Sequence, residues 1–318
     1  MGDIVLTTPV YRLLKEQFQG EVELHVLTKS NFAFLLKQNP RIHKVWEVQK
    51  SGMEIFEALK VEQFDYVFDL QNSIRSRSIR KKLGVLSFKV NKLNIRKWIQ
   101  VNLGLWKGDL EHIVERYCNT LSWFGLHYDG KGLEYYFSQH TRAINELLPA
   151  EFIEKQYVVF AVGGAHEGKR WSKENWQKLM EQTTDNVVVI GGKEDQMECP
   201  NQERVLNLIG ACSVDESARI IQHASGVVCG DTGMMHIAAA LDQNIISLWG
   251  CTTPGLGMSV VRPKQSHTPW KSITLQAADR SKRPCSKLGN TCKYGKDDKC
   301  IDVIKVDDVL KALVHLHK

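Results

Sequence analysis

A chain of 318 residues with 43% hydrophobic and 25% charged residues and a net charge of +6 has globular proportions, is long enough for two domains, and falls outside the disordered classes. No apolar run reaches the roughly 18 to 20 residues of a membrane span, and the N-terminus lacks a basic-then-apolar leader pattern, so a cytoplasmic protein without a transmembrane segment is expected. Eight cysteines at no framework spacing suit reduced thiols better than disulfides.

The first residues, MGDIVLTTPVYRLLKEQF, open on a Gly2-Asp3 turn, and Ile4 to Phe18 has helical periodicity with a proline near its start, where proline is tolerated. Such a turn normally follows a strand, and here none precedes it. Residues 21–27 alternate as a strand, 32–37 read as a short helix, 44–48 as a strand, 53–60 as a helix and 66–70 as an apolar strand. This alternation predicts a doubly wound parallel sheet.

From Leu70 to Gly108 there are ten basic residues (Arg75, Arg77, Arg80, Lys81, Lys82, Lys89, Lys92, Arg96, Lys97 and Lys107) and no acidic one. A solvated face and a basic surface for an anionic glycolipid, a polysaccharide or a nucleic acid are both open readings. An amphipathic helix is predicted over 111–124 and a further helix over 143–148. Pro149 and the charged residues after it give a domain junction, hence domains at 1–150 and 151–318.

The second series begins with a strand at 157–162 and the turn GGAHEGKRW, then a helix at 173–182, a strand at 187–190 and the turn GGKED. A strand at 205–209 and a helix at 214–222 lead to VVCGDTGMMHIAAALDQNIISL: strand, tight turn, buried helix, strand. In a parallel sheet the turns at 163–170, 191–195 and 231–236 all leave the same edge and can converge on one ligand. The start of the last helix offers free amides and a dipole suited to phosphate. Beyond Gly250 the pattern loosens into a basic, cysteine-bearing loop from Arg283 to Cys300 and a closing helix over 306–317, expected to pack back on the N-terminal domain. Cys285, Cys292 and Cys300 are spaced unlike paired Cys-x-x-Cys zinc sites, so structural or incidental thiols are expected there. The chain has neither a dinucleotide fingerprint after a strand nor a P-loop, which excludes the usual nicotinamide enzymes and P-loop kinases.

Several of these stretches together carry a resemblance. GDTGMMHIAAAL followed by ISLWGCTTP, KRWSKENW after a strand and glycine turn, DLQNSIRSR, the RPC segment and the N-terminal GDIVLTTPVYRLLK resemble glycosyltransferase family 9, the ADP-heptose:lipopolysaccharide heptosyltransferases. The resemblance implies an α/β, GT-B type chain: two Rossmann-like domains facing across a cleft, the first binding acceptor and the second the nucleotide sugar. It implies inverting transfer of a heptose or related sugar from ADP-heptose, or another nucleotide-diphospho sugar, to a lipopolysaccharide core acceptor. Asp3 would be the general base. Lys169 would offset charge on the departing diphosphate.

Asp231, Thr232, Gly233 and His236 would hold phosphates and sugar, with Gly163, Gly164 and Ala165 offering backbone amides where family members often carry hydroxyls. Glu194 would meet the ribose and Cys212 line the adenine pocket. Arg75, Arg77 and Arg80 would face the phosphorylated acceptor, since arginine bonds phosphate and carboxylate bidentately. The partners implied are the donor and an anionic glycolipid at the cytoplasmic face of the inner membrane, with no nucleic acid. No cofactor is expected, and without an Asp-x-Asp motif near the donor turns no divalent metal is implied.

Family members place a short apolar strand before the GD turn; the expectation is that this first strand of the N-terminal domain is missing here, through a start assigned too late, ahead of a truncation or a true variant with impaired catalysis. Two other readings stand beside transfer: a catalytically weak or truncated member binding anionic glycans or nucleic acid, and a sugar-nucleotide epimerase.

Overall fold

The computed structural model describes residues 1–105, 108–264, 271–277, 281–290, 292–295 and 298–317. The chain forms two compact units, one of Asp3–Leu93 with Glu111–Ser138 and Met1, the other of Asn94–Leu110 with Gln139–Lys318 and Gly2.

In the first unit, Gly2 and Asp3 are not a turn but the start of a short helix, Gly2–Val5, with Asp3 exposed. A second helix, Thr8–Glu16, follows with Pro9 in its first turn, where a missing N–H costs nothing. Its buried residues include Val10, Leu13 and Leu14, and also Arg12, which is only 2% exposed. Strand β1 (His25–Lys29) pairs in parallel with β2 (Lys44–Val48), and β3 (Tyr66–Asp69) with β4 (Leu86–Lys89). Parallel neighbours need a crossover. The helix Phe34–Lys37 lies in the first crossover and Ile74–Leu83 in the second. Among the described residues the four strands form two separate pairs, where the alternation predicted one continuous sheet.

The second unit holds the larger sheet. Strands β5 (Val158–Ala161), β6 (Val187–Ile190), β7 (Val205–Asn207), β8 (Gly226–Gly230), β9 (Ile245–Trp249) and β10 (Ser272–Gln276) line up all parallel in the order β10-β9-β8-β5-β6-β7. Every residue of β5, β6, β8 and β9 is buried, as continuous apolar runs should be when helices cover both faces. One face presents Val158, Phe160, Val187, Val189, Val228, Ile246 and Leu248 to Trp176, Leu179 and Met180 of the helix Lys173–Gln182 and to Val309, Leu313 and Leu316 of the closing helix Val306–Leu316. That closing helix therefore belongs to the core of the second unit. On the other face Val159, Val188, Val227 and Ile245 are equally sealed, and the helix Gly233–Ala240 packs on β8 and β9. No helix among the described residues is long and apolar enough to cross a membrane.

Candidate functional site

The sheet order reverses between β5 and β8. From β5 the chain steps outward through β6 and β7, and from β8 it steps the other way through β9 and β10. The crevice beyond the carboxyl ends at such a reversal is where open parallel sheets take ligands. The turn after β5 carries Gly163 to Arg170, and the turn after β8 carries Asp231 and Thr232.

The two turns close on each other because glycine stands at each crossing. A Cβ on Gly230 would lie 2.7 Å from the carbonyl oxygen of Lys169, and one on Gly168 would lie 2.6 Å from the carbonyl oxygen of Gly289 and 2.7 Å from Cys251 Sγ. Gly289, at φ +83°, lies along the Lys169 side chain, where a Cβ would come within 2.8 Å of Lys169 Cγ. The lysine is threaded through this glycine-lined passage to meet Asp231. Lys169 Nζ lies 2.6 Å from Asp231 Oδ2, with the two side chains 17% and 5% exposed. Thr252 Oγ1 donates to the same carboxylate oxygen at 2.8 Å.

Beside this pair the helix Gly233–Ala240 begins. Its preceding residue, Thr232, has an extended backbone and makes no side-chain cap; Thr232 Oγ1 is buried with no hydrogen-bond partner among the described residues. The first amides of the helix are thus left without the usual side-chain oxygen, next to a held ammonium. His236, 2% exposed, sits one turn into the same helix.

The turn after β6 is tied to the turn after β5. Arg170 Nε donates to Gly164 O at 2.5 Å, and Arg170 Nη2 lies 3.3 Å from Asp195 Oδ1. Asp195 Oδ2 accepts from Gly192 N at 2.9 Å and closes on Gly163, where it occupies the space a Cβ would need. Gly210 N in turn donates to Gly191 O at 2.9 Å, which joins the turn after β7 to the row. Glu194 and Cys212 stand on these outer turns. Glu194 is exposed with its carboxylate folded over Gly192, and Cys212 is half-buried, its thiol pKa raised by desolvation.

The structure thus brings Lys169, Asp231, Thr232 and Gly164 together, with Gly163 one step along and Gly233 and His236 on the adjoining helix; Ala165 is exposed. Thr252, Arg170 and Asp195 are the site residues that sequence reasoning missed. The only signal for Thr252 was its place just after β9; Asp195 competed with Glu194 in one acidic turn, and only the folded backbone shows which carboxylate turns inward.

The residues assigned to the acceptor behave differently from one another. Arg75 and Arg77 are exposed on the helix Ile74–Leu83, Arg75 Nη1 donating to Lys50 O at 3.2 Å. Arg80 is committed inside the first unit, its Nε 3.4 Å from the buried Asp69 carboxylate and its Nη1 donating to Ser87 Oγ at 3.1 Å. The basic stretch runs from the first unit into the second at Asn94; within it Lys97 is buried, and Lys107 lies outside the described residues.

The sequence profile of glycosyltransferase family 9 (heptosyltransferase) matches residues 53–289. Lipopolysaccharide heptosyltransferase 1 of Campylobacter coli is 23% identical over 99% of this chain and 96% of its own length. Among solved structures, a family 9 glycosyl transferase of Veillonella parvula superposes with a TM-score of 0.73 at 19% identity, covering 99% of this chain and 93% of that one. The ADP-heptose lipopolysaccharide heptosyltransferase II of E. coli gives 0.68 at 19% identity, covering 99% and 95%.

Proposed function

We propose that this chain, which belongs to glycosyltransferase family 9 and is a glycosyltransferase of the GT-B type, transfers a heptose from an ADP-heptose-like donor to a lipopolysaccharide core acceptor. The observation that carries the reading is the Lys169–Asp231 pair, set at the sheet's order reversal beside an uncapped helix start. Its relatives include heptosyltransferases, and one bears ADP-heptose in its name.

In the proposed step the acceptor hydroxyl attacks the anomeric carbon as the bond from that carbon to the diphosphate oxygen breaks. The charge on the leaving diphosphate grows as that bond opens. Groups fixed in advance beside it stabilise the transition state more than the bound donor. Lys169 supplies one such charge, aimed by Asp231. The amides of Gly233 and Met234 supply dipoles, and Thr232 Oγ1 a hydrogen bond. His236 and the glycine turn at Gly163 and Gly164 shape the sugar-phosphate side, while Glu194 and Cys212 extend the row toward the nucleoside. Asp3 is the carboxylate proposed to take the acceptor proton, and Arg75 and Arg77 are the cations proposed to meet an anionic acceptor at a membrane surface. Transfer is proposed to run without a divalent cofactor in the reacting centre, so omitting Mg²⁺ from the assay leaves turnover unchanged.

Donor binding is tested by thermal shift. A ligand that binds only the folded state at 100 times its Kd adds about 2.7 kcal/mol of stability. ADP and ADP-heptose should raise the melting temperature of the wild type, and Thr232→Val together with Gly164→Val should abolish that rise. An equal rise with every nucleoside diphosphate, unchanged by these substitutions, would remove the site from donor recognition.

A further inference from the structure

Four cysteines remote in sequence meet in the second unit. Cys251 follows β9, Cys285 and Cys292 lie in the basic loop, and Cys300 opens the turn Cys300–Val303. Their four Sγ atoms all lie within 4.8 Å of one another, with Cys285 and Cys300 at 3.5 Å and Cys292 and Cys300 at 3.9 Å. Cys251, Cys285 and Cys300 are buried and Cys292 is partly so.

A disulfide needs an S–S distance of about 2.05 Å and joins two sulfurs, so it accounts for neither the spacing nor the fourfold convergence. Four thiolates around one tetrahedral ion, at a metal–sulfur distance of about 2.3 Å, stand about 3.8 Å apart, close to the 3.5 Å and 3.9 Å of the Cys285–Cys300 and Cys292–Cys300 pairs. An iron–sulfur cluster, with several metal atoms inside, would hold its ligands farther apart than a single ion does.

The surroundings suit a closed site. Ala277, Tyr294 and Val303 pack about the sulfurs, three of which belong to buried cysteines. Such a centre would carry net negative charge, and a cation is built in nearby. The Arg283 guanidinium is locked by bonds to the carbonyl oxygens of Gly250 at 2.5 Å and of Ala277, Trp249 and Thr252 at 3.0 Å each.

We propose that Cys251, Cys285, Cys292 and Cys300 bind one thiophilic divalent ion, zinc or iron, as a tetrathiolate, and that this ion holds Lys169 in position. The link runs through the backbone. Cys285 N donates to Cys251 O at 2.8 Å, Cys251 N to Gly168 O at 3.3 Å, and Gly168 N to Gly289 O at 3.1 Å; Gly289 then lies against the stem of Lys169. The ion takes no part in the sugar chemistry; it fixes the loop that walls the lysine. A closed set of four thiolates favours zinc, with iron the other ion this geometry accepts. The site itself does not depend on the proposed transfer reaction; only its link to Lys169 does.

The test uses the purified full-length chain. Elemental analysis should find about one equivalent of zinc or iron after gel filtration, and the result identifies which. Replacing the ion with Co²⁺ should give the strong thiolate-to-metal absorption and red d–d bands of a tetrahedral tetrathiolate. Cys292→Ser and Cys300→Ser should each lose the ion.

Substoichiometric metal, with the four thiols titrating freely or a Cys285–Cys300 disulfide found by mass spectrometry, would overturn the site. Should the serine variants fail to fold, the metal content and cobalt spectrum of the wild type still decide. For the link to Lys169, folded protein stripped by a mercurial and then reduced should lose at least tenfold in turnover and recover when Zn²⁺ is returned. Full turnover in the stripped protein would overturn the link and leave the site standing.

Discussion

Asp231 Oδ2 takes two donors, Lys169 Nζ at 2.6 Å and Thr252 Oγ1 at 2.8 Å, while almost none of its side chain meets water. Removing the lysine would leave a buried carboxylate with one hydroxyl for company. Breaking a buried pair costs about 3 to 5 kcal/mol, and the residual exposure of Lys169 puts this case near the lower end. Lys169→Ala should therefore lower unfolding stability by about 3 kcal/mol and turnover by about 10² to 10³, the range for losing one fixed transition-state donor. Adding Asp231→Asn removes the stranded charge, so the double variant should regain most of the stability and none of the turnover, as read by urea unfolding and single-turnover kinetics. Recovery of turnover in the double variant would mean that Lys169 serves only to neutralise Asp231. Gly230→Ala should also impair donor binding without touching any charged group, because the added methyl would meet the Lys169 carbonyl at 2.7 Å and backbone cannot yield as a side chain can. Donor affinity within twofold of wild type in that variant would show that the crossing of the two turns is not needed.

The helix Thr8–Glu16 reads in sequence as an ordinary amphipathic helix, yet it buries a charge. Arg12 donates to both oxygens of Asp129, at 2.7 and 2.9 Å, and to Gly132 O at 2.9 Å, and lies 3.2 Å from Glu134. Burial lowers the guanidinium pKa, but the carboxylates more than offset it, and the net shift is upward. Arg12→Leu should destabilise the first unit by about 3 to 5 kcal/mol by stranding Asp129, and pairing it with Asp129→Asn should restore part of that loss.

The helix Val214–Gln222 offers a pH test. Ser213 and Glu216 form a reciprocal cap, and the hydrogen bond from Arg142, aided by those from Ser213, holds the Glu216 carboxyl at about 2, below its usual value near 4.5. A depressed carboxyl pKa contributes stability that is full above the unfolded value and fades as pH falls toward the folded one. Ser213→Ala should cost about 1 kcal/mol at pH 7. Glu216→Gln should remove the part of the acid sensitivity that lies between about pH 4.5 and 2; an unchanged pH–stability curve would rule out this linkage.

The second unit was legible because β5, β6, β8 and β9 are sealed on both faces and read as unbroken apolar runs, while the helices at 173–182 and 214–222 keep their period to the residue. Ser272–Gln276 escaped because it is an edge strand whose residues alternate between exposed and half-buried, so it has no apolar run to see. Cys251 escaped for another reason: it lies 34 positions before Cys285, and only the return of the loop beside β9 makes them neighbours. Likewise Gly2-Asp3 carried the letters of a turn but starts a helix, since local composition leaves that choice to what packs around it.

At the scale of the whole molecule the two units are built to different standards of closure. Among the described residues the second has one six-stranded sheet covered on both faces, with four turns linked at its carboxyl edge; the first has two parallel pairs, the rings of Tyr66, Phe68 and Phe88 packing on Phe124, and a buried ion pair at Arg12. The proposed donor groups Lys169, Asp231 and Thr232 belong to the second unit, and the proposed acceptor groups Asp3, Arg75 and Arg77 belong to the first. Charge-reversing Arg75→Glu and Arg77→Glu should therefore raise the KM for an anionic acceptor at least fivefold while leaving the ADP-induced thermal shift unchanged. A reduced ADP shift in those variants would contradict the division of labour.

The most direct measurement is ADP release from ADP-heptose by the purified chain, followed with and without a lipopolysaccharide core acceptor that lacks the heptose. ADP release should require the acceptor, with one heptose gained by the acceptor for each ADP and a loss of at least about 10² in rate for Lys169→Ala. Consumption of donor without acceptor, or a Lys169→Ala rate equal to wild type, would contradict the proposed transfer.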